Sequence, residues 1–425
     1  MLTDAKPSGA KVALGILQAV KLAADNSFKS QLAHEKIAEV KGRAEESRAR
    51  LLPNLSGSVA QRDQTINLAA LGFKAGSFPG FSSSLIGLFK TFDARAQLVQ
   101  SIFDLSAIRK YQEGRADVQL SALEERLARQ QVAVKAALYY LNYLSAHKEI
   151  ETANSDLTLA ESLLKLAQDQ KQAGVATGID VTRADNRVAQ SQVKLSLAQT
   201  QANEARLLLL RIIGLSLGTE LILTDSLSYK PVQPPALEDA IATANKERVE
   251  LQVAEAEIRV KDFKVSAAKA ERLPALEFIA DYGENGNTPF TNALPTRTVG
   301  VQLKVPIFNG GLTRGRINEA QSQQRQMVLQ LANVRHIVEQ EVRQAWQGLT
   351  TTTQQVLAAQ RSLALAEKEL TMARDRFAAG VANNLEVINA QTALTNAREN
   401  EVIALAQYYA ARINLAASQG RAESF

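Results

Sequence analysis

The sequence predicts a mainly α chain in which long, coiled-coil-like helical hairpins alternate with two pairs of amphipathic β-strands. Three observations carry this. Two Pro-free stretches of about 67 residues, Ser106–Gln172 and Leu312–Ala378, have helix-forming composition. Segments of about ten residues alternate apolar and polar side chains with the period of a strand. Landmarks of the first half return in the same order in the second.

The landmarks fix the organisation. Leu52-Pro53-Asn54-Leu55 is answered by Leu273-Pro274-Ala275-Leu276, 221 residues later. Ile102-Phe103-Asp104 is answered by Ile307-Phe308-Asn309 at 205, and Gln172–Ala176 by Ala378–Ala382 at 206. Gly214 is answered by Gly420, again at 206. The fall in offset places a longer loop in the first half, near Asn67–Ser84. A period of about 200 residues is too long for a solenoid unit. Residues 1–214 are therefore expected to form one repeat, with a strand pair at about 53–103 and a hairpin at about 106–213. Residues 215–235 form a Pro-containing connector with a strand-like run, Leu221–Thr224. Residues 236–425 form the second repeat, with strands at about 274–308 and a hairpin at about 312–418.

Each repeat opens with a helical stretch, Leu14–Leu51 or Leu237–Arg272, closed by a Leu-Pro pair because the residue before Pro avoids the α region. The strands follow. Phe92, Ala94, Ala96 and Leu98 share one face, as do Leu276, Phe278, Ala280 and Tyr282, and Val299, Val301, Leu303 and Val305. Gly-, Ser-, Asn- and Pro-rich residues between them read as loop. Each long helix would be a rod of roughly 100 Å, which needs a partner helix along its length. Gly174 and Gly380 suit the tight turns that follow, through positive φ.

Composition closes off other classes. The 425 residues are 46% apolar and 22% charged, too apolar for disorder. No Cys is present, which removes disulfides, thiol catalysis and Cys-based metal sites. The net charge of +5 is spread along the chain, and nucleic acid is not an expected partner. His34, His147 and His336 read as exposed helix-face residues, and no cofactor is expected. No phosphate loop, dinucleotide fingerprint or nucleophile elbow occurs, so an enzyme is not expected. Trp346 reads as packing. No apolar run is long enough for a transmembrane helix. Val12–Val20 reads as part of the folded protein, and the missing export signal leads us to expect a mature or start-truncated chain. The terminal Phe425 follows a helix and does not read as a barrel signal.

Strands of about ten residues can cross a bilayer, but four cannot close a barrel, and open edges are forbidden in lipid. If these strands face lipid, several chains must share one barrel. The alternative is a soluble coiled-coil scaffold or adaptor without a pore.

The order helix, Leu-Pro, strand pair, Ile-Phe-Asp/Asn, long helix, Gly-Val turn and helix, given twice, resembles the TolC-like outer-membrane efflux proteins from Leu14 to Gly420. Gly174-Val175-Ala176-Thr177-Gly178-Ile179-Asp180-Val181 and Arg376–Val387 are similar to that family's periplasmic hairpin tips. Val305-Pro306-Ile307-Phe308-Asn309-Gly310-Gly311 is similar to the end of its last barrel strand. The resemblance implies a homotrimer with a shared twelve-stranded barrel in the outer-membrane lipid and a helical tunnel in the periplasm. It implies a periplasmic adaptor and an inner-membrane pump as partners, the chain being a passive duct. It places Asp180 and Glu386 just after the tip turns, with Glu386 as a three-fold ring at the constriction, where like charges would favour cations. Asn389 takes the place of a second acidic ring. Phe377 and Ala382 take the places of an aromatic and an Arg that latch the gate in some members, without the hydroxyl or the cation. Gly174, Val175, Gly380 and Val381 would meet the adaptor.

Overall fold

The computed structural model describes residues 11–74, 83–289, 291–382 and 384–422. Part of the long first-half loop, Asn383 of the second tip and Phe425 lie outside them. Along the chain run β1 (Lys11–Leu14), α1 (Ile16–Asn26), α2 (Phe28–Ala49), β2 (Asn54–Asn67), β3 (Leu85–Phe103), α3 (Leu105–Gln172) and α4 (Gly178–Ile213). There follow β4 (Glu220–Leu223), α5 (Leu237–Glu247), α6 (Val249–Ala270), β5 (Ala275–Gly286), β6 (Leu294–Lys304), α7 (Leu312–Ala378) and α8 (Asn384–Ser418). A 3₁₀ turn at Leu68–Leu71 follows β2. The helices, of which α3 and α7 are the longest, dominate, as the sequence predicts. No described helix is long and apolar enough to cross a membrane.

Two compact units are formed. One comprises Ile37–Ser121 and Glu255–Gln330 and contains the sheet β2-β3-β5-β6, antiparallel throughout. The register sorts its side chains into two faces. Leu55, Leu98, Ala280 and Val299 form one cross-strand row, and Phe278 with Val301 and Leu276 with Leu303 continue that face. The same face leaves Leu55 73% and Val299 69% exposed. The opposite face carries Ser56, Gln97, Asp281 and Thr298 in one row and Ser58, Arg95 and Thr296 in the next. There Arg95 donates from Nε and Nη2 to the two Asp93 carboxylate oxygens, both at 2.7 Å, and its Nη1 lies 3.5 Å from Asp281. The sheet thus separates an apolar from a polar side. The first pair of strands is longer than expected, because Leu85–Thr91 pairs with β2 alone. Val305, expected at the end of the last strand, lies just beyond β6.

In the same unit Val265 and Ala268 of α6 pack with Ile317 and Ala320 of α7. Gly114 lets α2 and α3 approach closely: a Cβ there would come within 3.2 Å of Ala44 Cα. Glu271 bridges Lys110 at 3.3 Å and Arg316 at 2.9 Å.

The other unit comprises the chain up to Lys36, Ala122–Ala254 and the chain from Leu331. Its largest clusters surround Tyr408, Leu405 and Leu349, and Tyr140, Leu209 and Leu210. Both opening helical stretches are interrupted, a correction to the continuous helices expected. At the first break Ser27 is buried, and its Oγ accepts from Ser30 N, capping α2. At the second, Arg248 is extended and buried, donating to both Glu250 oxygens and to Ser418 O, and pairing with Glu341 at 2.7 Å.

The start of the chain is also corrected. Lys11–Leu14 is a strand, pairing in parallel with β4 of the connector. Asp225 then accepts from Ile16 N at the start of α1 and from Tyr140 Oη at 2.7 Å. The connector is strapped down by hydroxyls: Tyr408 donates to Lys230 O and Tyr409 to Ser228 O. Trp346 donates from Nε1 to Pro235 O.

Candidate functional site

The two hairpin turns, α3–α4 and α7–α8, are built alike. Each helix ends in a Schellman motif. Val175 N donates to Gln170 O and Gly174 N to Lys171 O; Val381 N donates to Arg376 O and Gly380 N to Phe377 O. The glycines sit at φ +78° and +72°, the left-handed geometry this motif requires. The turns lie together: a Cβ on Gly380 would be 3.7 Å from Val175 Cγ1. Two hydrogen bonds tie them, Gln170 Nε2 to Phe377 O at 2.8 Å and Asn384 Nδ2 to Asp180 O at 2.9 Å. Val175, Ile179, Val381 and Leu385 leave apolar side chains exposed around the turns.

Behind the turns, Leu370, Ala373 and Phe377 of α7 pack on Val387, Ala390 and Leu394 of α8, with Leu163 of α3. Phe377 is only 4% exposed, so within the chain it is a core residue of the tip. Ala382, five residues further on, is half-buried.

The two acids after the turns are each held within the chain, in different ways. Asp180 accepts from Thr177 N at 2.9 Å and Thr177 Oγ1 at 2.6 Å, closing a capping box at the start of α4. These two Thr177 hydrogen bonds hold its carboxyl below the ordinary Asp value, and Arg183 adds to the effect. Glu386, in the first turn of α8, accepts from Arg376 Nε at 3.0 Å across the turn. Both positions suit the helix dipoles, an acid at an N-terminus and a cation in a last turn. Asn389 lies one turn on and is exposed, as Glu386 is. The sequence reading missed Arg376 as a partner. It also missed Gln170 and Asn384 as the ties between the turns.

Among the described residues no three His, Asp or Glu side chains gather as metal ligands. His34, His147 and His336 are exposed on three different helices. What the tips offer is apolar contact surface and paired charge.

Residues 19–215 and 240–421 match the family described as outer membrane efflux protein. The chain belongs to that family. Relatives agree. The chain is 26% identical over 401 residues to the alkaline protease secretion protein AprF of Pseudomonas aeruginosa, covering 91% of this chain and 80% of AprF. It is 23% identical over 396 residues to the pyoverdine export outer membrane protein OpmQ of Pseudomonas putida, covering 90% and 81%. Its fold matches the crystal structure of the Campylobacter jejuni CmeC outer membrane channel with a TM-score of 0.80 at 16% identity, over 96% of this chain and 87% of that one. As an outer membrane efflux protein the chain is a transport component of the outer membrane, with its helical hairpins on the periplasmic side. The pore-free scaffold alternative falls away.

Proposed function

We propose that three copies of this chain share one twelve-stranded barrel and form a passive duct from periplasm to exterior. The observation that carries this is the four-stranded sheet. One of its faces is apolar and exposed, the other is polar, and among the described residues β2 and β6 are each paired along one side only. Unpaired edges are untenable in lipid, and single-chain barrels begin at about eight strands. Joining β6 of one copy to β2 of the next removes every edge, and three copies give twelve strands. Residues 1–214 and 236–425 serve as two repeats of this architecture, with 215–235 as an equatorial connector.

The partners are a periplasmic adaptor, met by Gly174, Val175, Gly380 and Val381, and an inner-membrane pump that supplies the energy. The duct is not an enzyme and uses no cofactor. Glu386, Asn389 and Asp180 line its constriction. Phe377 and Ala382, at the latch positions, hold the tip by packing in place of a charged latch. The cargo is small molecules or polypeptides, in keeping with relatives named for protease secretion and for pyoverdine export.

The test is the mass of the complex. The protein, expressed so that it is exported, is extracted from the outer-membrane fraction and weighed by light scattering in detergent. Three chains of 46.1 kDa give about 138 kDa. A soluble monomer or dimer would overturn the shared barrel.

A further inference from the structure

An acid ring at the constriction would make a duct cation-selective only where the acid acts as a free charge. In this chain the acid and a cation come as a unit. Arg376 Nε lies 3.0 Å from Glu386 Oε1, and both side chains are about half exposed. Arg376 is in the last turn of α7 and Glu386 in the first turn of α8, so the short turn between them carries both charges to the same end of the hairpin. In the first hairpin the residues at the same offset of 206 are Gln170 and Asp180. There Asp180 is bound by Thr177 instead. The rest of the tip half of α8 shows the same economy of charge. Arg398 pairs with Asp156 at 2.7 Å, and Glu399 with Lys194 at 2.5 Å. The exposed stripe that continues from Glu386 carries Asn389, Asn396 and Asn400, then Ile403 and Gln407. Glu386 is thus the one acidic residue among these, and Arg376 of its own chain pairs with it.

We propose that Arg376 is a specificity-determining residue: it compensates Glu386 within each protomer, so the Glu386 ring adds little preference between cations and anions at the constriction. This inference rests on the reading that Glu386 lines the constriction. It cancels the cation preference that an uncompensated Glu386 ring would impose. A compensated Glu386 ring suits cargo of mixed charge, such as an extended polypeptide, because that ring holds segments of neither sign.

The experiment is a set of reversal potentials in a KCl gradient, with the full-length trimer in planar bilayers. Wild type, Arg376→Gln, Glu386→Gln, the double variant and Arg376→Lys are compared, after each is shown to be trimeric. The expected result has three parts. Arg376→Gln raises the cation-to-anion permeability ratio by about three- to tenfold, the effect of three like charges across a few ångströms of water. Glu386→Gln lowers it by a similar factor. The double variant and Arg376→Lys return to the wild-type ratio. If Glu386→Gln lowers the ratio while Arg376→Gln leaves it unchanged, Glu386 lines the constriction but the compensation is overturned. If no variant differs from wild type, the pore-lining reading falls and this inference with it.

Discussion

Replacing Gly380 separates turn geometry from the adaptor contact proposed for the second tip. Its φ of +72° is left-handed, and a Cβ there would meet only Val175 Cγ1, at an ordinary 3.7 Å. Steric exclusion is therefore small, and the cost of a side chain is conformational. For Ala that cost is about 1–2 kcal/mol, which multiplies local opening by about 5–30. Asn tolerates this region, so Gly380→Asn costs a few tenths of a kcal/mol to about 1. The assay is native-state hydrogen exchange on the peptide Arg376–Glu386, reading the Val381 amide that donates to Arg376 O. Protection should fall in the order Gly, Asn, Ala, with Val below Ala. Equal protection in Asn and Ala would refute the argument, since only the left-handed backbone distinguishes them here. Retained protection with lost adaptor binding would make contact, not geometry, the reason for glycine.

Truncating Phe377 to Ala removes a side chain buried among Leu163, Leu370 and Val387, and the local destabilisation expected is about 3–4 kcal/mol. Limited proteolysis should then cut at the second tip, while Phe377→Leu keeps most of the resistance; unchanged resistance in the Ala variant would remove Phe377 from the tip core. Asp180 supplies a pH prediction. Its carboxyl sits below 3.8 when folded, so the unfolded start of α4 binds more protons than the folded one in acid. The Thr177 contacts contribute fully above about pH 4 and are lost as pH falls through the lower, folded value. Exchange protection at the start of α4 should show this fall in wild type and not in Asp180→Asn; an acid-independent wild type would show that the capping box contributes nothing.

The long helices were legible almost to the residue. Leu312–Ala378 is as expected, and Leu105 begins the first where Ser106 was expected. Uninterrupted helix formers bounded by a Pro-containing or Gly-containing break leave few alternatives. The strand faces were legible too, because period two assigns each side chain to a side and the register keeps Leu98, Ala280 and Val299 in one row. The strand β1 was not. Four residues cannot show alternation, and the partner strand begins 209 positions away. The breaks at Ser27 and Arg248 were hidden because neither is Gly or Pro. Phe377 could have been recognised as core from Ala366, Leu370, Ala373 and Phe377, which follow the helical spacing. The Arg376–Glu386 pair was out of reach of periodicity, since the turn between them resets the helical phase.

The repeat offsets show why some features persist between the halves and others do not. Ser27 and Arg248 lie 221 residues apart, the same offset as the two Leu-Pro pairs, so both halves break their opening helix at the corresponding place. Gly214 and Gly420, 206 apart, both have positive φ, and each is pressed against the end of the first helix of its own repeat: a Cβ would come within 2.9 Å of Asn26 at the end of α1 in one case and 2.8 Å of Glu247 at the end of α5 in the other. These are backbone demands, and a tight approach or a left-handed turn has few solutions. Side-chain demands have many. The first break is capped by the Ser27 hydroxyl, the second is clasped by the Arg248 guanidinium. After the turns an acid stands in both halves, because a helix N-terminus favours one. Its partner has diverged from Thr177 to Arg376. The divergence converts a cap that is spent on the backbone into an ion pair whose two members can be varied separately, so the second tip is where the charge beside the turn can be tuned without dismantling the turn.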